Sequence, residues 1–188
     1  MNDNFKKQVA EIDDLTEIAQ ILSLSTELRE SISEYEKNPY NPLFAAGKSK
    51  IRMNFNKKGE TIYLLGDYTA KDLDNSAAVE IILDAIENGL PCSSHSLDRN
   101  GLFSSLIEAC SVKKLGFDIT TDSEMPEKEF LFNDKNPAIL ISVSTEKEGG
   151  FVDFIYKNGI NITLLGHVTK GELRVDDVSF GYITDYID

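Results

Sequence analysis

The 188-residue chain is poor in the residues that build metal and redox sites: two cysteines, Cys92 and Cys110, and two histidines, His95 and His167. The cysteines form neither a CxxC pair nor a disulfide framework. The histidines lie far apart, and structural zinc needs about four clustered ligands, so no metal site is expected. Basic residues are scarce as well: 19 Lys and Arg face 32 Asp and Glu, for a net charge of −13. That balance argues against nucleic acid as a partner, since its affinity rests on Lys and Arg neutralising phosphates. Anionic membranes are disfavoured for the same reason. A small anionic ligand stays open, because helix N-termini and loop amides bind phosphate locally. No apolar run approaches the roughly 20 residues of a spanning helix. The opening MNDNFKKQVAEIDD lacks the apolar core of a secretory signal, so a cytoplasmic location is the default. HExxH, GxSxG, GxxxxGK[ST] and GxGxxG are all missing, which removes several enzyme classes.

What is present reads as globular, with 41% hydrophobic and 27% charged residues. Residues 1–37 carry apolar residues at helical spacing: Ile12, Leu15, Ala19, Leu22, then Leu28, Ile32, Tyr35. Asn38-Pro39-Tyr40-Asn41-Pro42 stops the helix, because a residue before proline is pushed out of the helical region. The boundaries expected are a helical segment and loop over 1–48, packed on an α/β domain over 49–188. In that domain Thr61–Leu65 is a buried strand ended by Gly66, and Leu73, Ala77, Ile81 and Ala85 mark one helix face closed by Asn88-Gly89. A helix is expected over 101–113, with Leu102, Leu106 and Cys110 as its stripe. Phe117–Thr120 is a short strand, and 121–130 an acidic surface connection. Ala138–Val143 is a strand, followed by a helix with Phe151, Phe154 and Ile155 inward and a strand over 162–168. A hairpin closes the chain. The fold class expected is α/β in the α+β sense, a mixed sheet with flanking helices.

Three stretches, in order, resemble one family. Residues 53–66, MNFNKKGETIYLLG, look like its "FKKEGDLIYLLG". Residues 89–102, GLPCSSHSLDRNGL, resemble its "GLIxSAHDVSDGGL". Residues 131–143, LFNDKNPAILISV, are similar to the turn that enters a core strand. The family is that of the formylglycinamidine ribonucleotide synthases, specifically their C-terminal aminoimidazole ribonucleotide synthetase-like domain, and the likeness spans about residues 50–182. It implies a ligand cleft between this domain and an N-terminal domain that dimerises and carries much of an ATP and magnesium site. No candidate for that N-terminal domain appears in the sequence. The partners implied are that missing domain, a paralogous subunit, or a second copy in a homodimer.

The stretch from His95 to Gly101, read as a loop before a helix, is the resemblance's ligand-facing segment. Its candidates for ligand or phosphate binding are Ser76, His95, Ser96, Asp98, Arg99, Asn100 and Gly101. His95, Gly101 and Leu102 match the family pattern. Ser96 and Arg99 stand where it has Asp, Asp98 where it has Ser, and Asn100 where it has Gly. Ser76 survives from a "GSEY" pattern whose Glu is here Ala77. Two readings stand for the loop: a retained anion site, or helix capping by Asp98 or Asn100. His95 is either a general base or a buried, hydrogen-bonded histidine. Cys92 and Cys110 read as core thiols, His167 as an ordinary strand residue, and Asp134 as a turn residue.

The function expected from the resemblance is part of an ATP-dependent carbon–nitrogen ligase of purine biosynthesis, using ATP or ADP with magnesium in a complete assembly. The chain alone is expected to bind no cofactor and to be inactive. The alternative is a catalytically degenerate structural or interaction domain of the same fold.

Overall fold

The computed structural model describes residues 3–45, 47–66, 76–97, 101–121, 124–133 and 138–188. The helical N-terminal segment is three helices, α1 (Asp3–Val9), α2 (Leu15–Ser23) and α3 (Thr26–Lys37). Local capping sets the breaks. Asp14 accepts from the Thr16 backbone N–H at 2.9 Å, and Ser25 accepts from that of Leu28 at 3.2 Å. The hydrogen bonds from Thr16 and Glu17 hold the Asp14 carboxyl below the usual carboxylate range. As expected, the helix ends at Lys37, before Asn38-Pro39.

Seven strands follow: β1 (Thr61–Leu65), β2 (Ser93–Ser96), β3 (Gly116–Ile119), β4 (Ile139–Val143), β5 (Ile162–Thr169), β6 (Glu172–Val175) and β7 (Val178–Tyr182). They form one sheet in the order β2-β4-β1-β5-β3-β6-β7. All neighbours are antiparallel except β3 and β6, which are parallel. The mixed sheet is therefore as expected. The strand–helix–strand unit over 138–168 also exists, with a twist in its topology. β4 and β5 both run antiparallel to β1, so they are parallel to each other with β1 inserted between them. The connecting helix α7 (Thr145–Lys157) buries Phe151 and Ile155, while Phe154 is only half-buried.

The remaining helices are α4 (Ser76–Glu87), α5 (Gly101–Ser111), α6 (Glu127–Phe132) and α8 (Thr184–Ile187). Side chains alternate across the central strands. Tyr63, Leu65, Ile139 and Ile141 face α4 and α7, while Ile62, Leu64 and Leu140 face the core built by α5 and the N-terminal helices. Phe5, Ile18, Leu22, Leu28 and Ile32 lie in the same core as Phe103 and Phe117, so residues on both sides of position 48 share one interior.

Three expectations are corrected. The buried face of α4 is Ala78, Ile82, Ala85 and Ile86, rotated from the expected stripe, with Ile81 only half-buried; Leu73 lies outside the described residues. The acidic connection 121–130 contains the start of α6, because Phe130 and Leu131 anchor it in the core. Its acids Glu127 and Glu129 occupy the first turn, where the helix dipole favours them. And α5 is buried on every side: all its residues, including Ser104, Ser105, Glu108 and Ser111, are covered.

One lysine ties the N-terminal helices to α6. Lys128 Nζ donates to the carbonyls of Val9, Ala10 and Ile12 at 2.8, 3.1 and 2.7 Å, satisfying the C-terminal end of α1. Lys128→Met removes all three bonds while keeping the aliphatic stem. It should lower unfolding free energy by about 1–3 kcal/mol, measured by urea denaturation, and should speed amide exchange in α1 ahead of the sheet.

Candidate functional site

β1 and β2 are both antiparallel to β4, so they point the same way and end at the same edge of the sheet. The backbone turns away there at Gly66, whose φ of 103° suits glycine. α4 opens at Ser76 and α5 at Gly101. Between the strand ends lies a cleft of about 200 Å³, walled by Leu43, Leu65, Ala78, Val79, Ile82, Leu97, Ile139 and Ile160. Ser96 is the one polar side chain among its described lining residues. Gly101 has a φ of 79°, and a Cβ there would sit 3.1 Å from the carbonyl oxygen of Asn133, so backbone of the α6 end packs directly on the start of α5.

β2 is an edge strand built almost without apolar residues, and its stability comes from neighbours far away in sequence. Ser93 and Ser142 hydroxyls meet at 2.6 Å. Asn41, 3% exposed, donates through Nδ2 to the Ser94 carbonyl at 3.0 Å and to Ser96 Oγ at 3.2 Å. Its Oδ1 accepts from the Leu43 backbone N–H at 3.0 Å.

His95 is buried, and both ring nitrogens are engaged. Nδ1 lies 2.8 Å from the carbonyl oxygen of Ser96, and Nε2 lies 2.8 Å from Glu108 Oε2. A carbonyl only accepts, so Nδ1 carries hydrogen and one further proton lies between Nε2 and Glu108. The other carboxylate oxygen of Glu108 accepts from the Ser31 hydroxyl. Tyr35 stacks on the imidazole with centroids 5.1 Å apart. Together these groups border a second cleft, about 330 Å³, between α3, the 38–42 segment and β2. Ser96 lines both clefts.

Of the candidates read from the sequence, His95 and Ser96 are therefore in strand β2 and not in a loop. His95 is turned toward Glu108, away from the strand-end cleft, whereas Ser96 opens onto it. Gly101 begins α5 and Ser76 begins α4; the side chain of Ser76 lies outside the described residues, as do Asp98, Arg99, Asn100 and Asp134. The sequence reading missed Asn41, Glu108, Ser31 and Tyr35. One signal for Glu108 was available: a carboxylate in the run Leu106-Ile107-Glu108-Ala109-Cys110, on a helix otherwise apolar or small, demands a buried partner. Asn41 carried no such mark.

The thiols divide. Cys110 is buried and its thiol is pushed well up by that burial. Cys92 is only half-buried, not a core residue; burial first, then the nearby Glu60 carboxylate, raise its thiol above its ordinary value. Glu60 is fully buried and accepts from the Ser142 hydroxyl at 2.9 Å and the Asn56 backbone N–H at 3.0 Å. Among the described residues no group of three or more His, Cys, Asp or Glu is placed to hold a metal, and no helix is long and apolar enough to cross a membrane.

No protein-family model matches the chain. Single proteins do. Over 148 residues the chain is 30% identical to the phosphoribosylformylglycinamidine synthase subunit PurL of Carboxydothermus hydrogenoformans, covering 66% of this chain and 20% of that one. Over 133 residues it is 31% identical to PurL of Leuconostoc mesenteroides, covering 69% and 17%. The chain is a relative of the phosphoribosylformylglycinamidine synthases. It spans about a fifth of the length of these two curated relatives. The fold agrees: T. maritima PurL complexed with ATP superposes with a TM-score of 0.59 at 15% identity, over 72% of this chain and 27% of that one. The PurL-like α/β architecture thus extends to a partner too distant in sequence to carry more than fold.

Two tests follow from the site's construction. Glu108→Ala leaves the His95 ring and the Ser31 hydroxyl facing a buried gap, and should cost about 3–5 kcal/mol; Glu108→Gln, which keeps the shape, should cost less, both by chemical denaturation. In thiol labelling at neutral pH, native Cys110 should stay unreacted. Cys92 should react more slowly than free cysteine, gaining rate only as pH rises beyond the ordinary thiol range of about 8.5. Denaturant should release both.

Proposed function

We infer that this chain supplies the strand-end wall of an ATP-dependent carbon–nitrogen ligase of purine biosynthesis, of the phosphoribosylformylglycinamidine synthase type. The observation that carries the reading is the convergence of the β1 and β2 ends with the first turn of α4 around one cleft, in a chain whose relatives bear that name. The description of T. maritima PurL as complexed with ATP and with ADP supports a nucleotide as ligand.

The residues fit such a group in part. Apolar walls suit a flat base, and the first turn of α4, which lines the cleft through Ala78 and Val79, suits phosphate oxygens. By the family resemblance, Ser76, Asp98, Arg99, Asn100 and Gly101 remain the candidates for holding phosphate. Ser96 is assigned to the ligand's edge, and His95 to holding β2. The described cleft lining contains no carboxylate. Magnesium, a cation that takes carboxylate, water and phosphate oxygens, would draw its ligands from the nucleotide and from elsewhere in the assembly. The chain's own contribution is to bind and orient. Its leucine and isoleucine walls exclude water from one side of the ligand. The remaining wall belongs to an N-terminal synthetase-like domain or a paralogous subunit, a reading supported by the multi-subunit PurLQS assembly of T. maritima.

Calorimetry tests this reading. With micromolar chain alone, Mg-ADP or Mg-ATP should give no measurable heat. With the rest of the C. hydrogenoformans PurL subunit added as a separate polypeptide, binding should appear. Tight binding by the chain alone would overturn the shared-cleft reading. Absence of binding in the pair would leave a degenerate, structural domain, the reading to which Arg99, Asn100 and Ala77 would then belong.

A further inference from the structure

We propose that Asn41, from the segment joining the N-terminal helices to the sheet, is a positioning residue that sets the Ser96 hydroxyl for a ligand in the strand-end cleft. The proposal rests on the nucleotide reading of that cleft and adds to it a dependence on the N-terminal segment. Asn41 is 3% exposed, so its amide is removed from water and must be satisfied by protein. Its orientation is unambiguous. Oδ1 faces the Leu43 backbone N–H at 3.0 Å and Nδ2 faces the Ser94 carbonyl at 3.0 Å; a flipped amide would set donor against donor and acceptor against acceptor.

Ser96 Oγ lies across the edge of this amide, 3.2 Å from Nδ2 and 3.3 Å from Oδ1. The two distances describe two functions. Nδ2 donates to the serine oxygen and fixes where that oxygen sits. The hydroxyl hydrogen has a long resting acceptor in Oδ1, and it can turn from there to an acceptor in the cleft without Ser96 losing its hold on Asn41. Ser96 is pinned from its other side as well, because His95 Nδ1 donates to its carbonyl at 2.8 Å. It is also the polar side chain in an otherwise apolar lining, so a ligand group that needs a donor from that lining finds it here.

The same segment supplies Leu43 to the cleft wall, and Phe44, 1% exposed, anchors it against α4. The wall and the hydroxyl's support thus come from one short stretch, Asn41 to Phe44. A ligand that takes the Ser96 hydroxyl tightens this segment; a segment pulled off β2 leaves Ser96 without its support.

The test is NMR titration with Mg-ADP of the full chain, isotopically labelled and paired with the rest of the C. hydrogenoformans PurL subunit as a separate unlabelled polypeptide, following the amides of Gly66, Ser96 and Leu97. Wild type should show shifts at these amides. Asn41→Ala and Ser96→Ala should each weaken the fitted affinity about five-fold, the worth of one ordinary hydrogen bond. The double variant should be no weaker than either single one, because both remove the same interaction. Ser96→Thr, which keeps the hydroxyl, should retain affinity when Asn41 is present and lose it in the Asn41→Ala background. Should Asn41→Ala lower the melting temperature, Ser96→Ala and Ser96→Thr carry the comparison, since Asn41 keeps its bonds to Ser94 and Leu43 in both. Unchanged affinity in Asn41→Ala, or additive losses in the double variant, overturns the proposal. No shift in wild type at these amides also overturns it, while calorimetry on the reconstituted pair independently decides the nucleotide reading.

Discussion

The arrangement depends on a buried proton-sharing contact between His95 and Glu108. It joins three elements across the interior: edge strand β2, the fully buried helix α5, and, through Ser31 and Tyr35, helix α3. Each component alone would be a liability. A carboxylate inside a packed helix and an imidazole on an edge strand both pay to leave water, and neither cost is met by apolar contacts. Paired, they satisfy one another, and the pairing is specific in a way that apolar packing is not. A one-residue slip of β2 would turn His95 to the opposite face and leave Glu108 without its partner.

That contact also accounts for what could and could not be read along the chain. β1 and β4 announce themselves as continuous apolar runs because both of their faces are buried. A hairpin near the end of the chain was also legible, but its turn was not: β6 and β7 pair across Asp176 and Asp177 at φ values of 48° and 66°, the left-handed conformations that a tight hairpin asks of Asp, Asn or Gly. β2 reads Ser-Ser-His-Ser, with neither apolar alternation nor β-branched residues to mark it. Its strand character comes from β4 on one side and from Asn41, Ser142 and Glu108, which lie between 13 and 55 positions away from the strand residues they touch. A local reading turns such a segment into a loop. α6 was hidden for a related reason: its acids read as solvated surface, while Phe130 and Leu131 supplied the anchor.

The site shows the same division. Ser96 and Gly101 could be picked out from the motif; Ser96 lines the strand-end cleft, while Gly101 starts α5 against the backbone of the α6 end. His95 could be picked out too, but its role is set by a carboxylate 13 positions on, beyond any motif window. Asn41 could not be found at all, since asparagine in a proline-rich stretch reads as turn chemistry. Its importance arises from a bridge of 53 positions to Ser94.

The acidic character of the chain bears on the ligand as well. A net charge of −13 opposes an anionic nucleotide at long range, yet screening at physiological salt limits that field to about 8 Å. Inside that distance the described cleft lining offers leucine, isoleucine, alanine and one hydroxyl, with no carboxylate to repel a phosphate. Several of the described acids are engaged elsewhere: Glu108 with His95, Glu60 with Ser142 and Asn56, Asp14 at the start of α2, Asp176 with Thr121. An acidic protein can therefore present a neutral wall to an anion. On the nucleotide reading proposed above, affinity would then come from backbone amides in the first turn of α4 and from a second polypeptide segment that brings positive charge or magnesium.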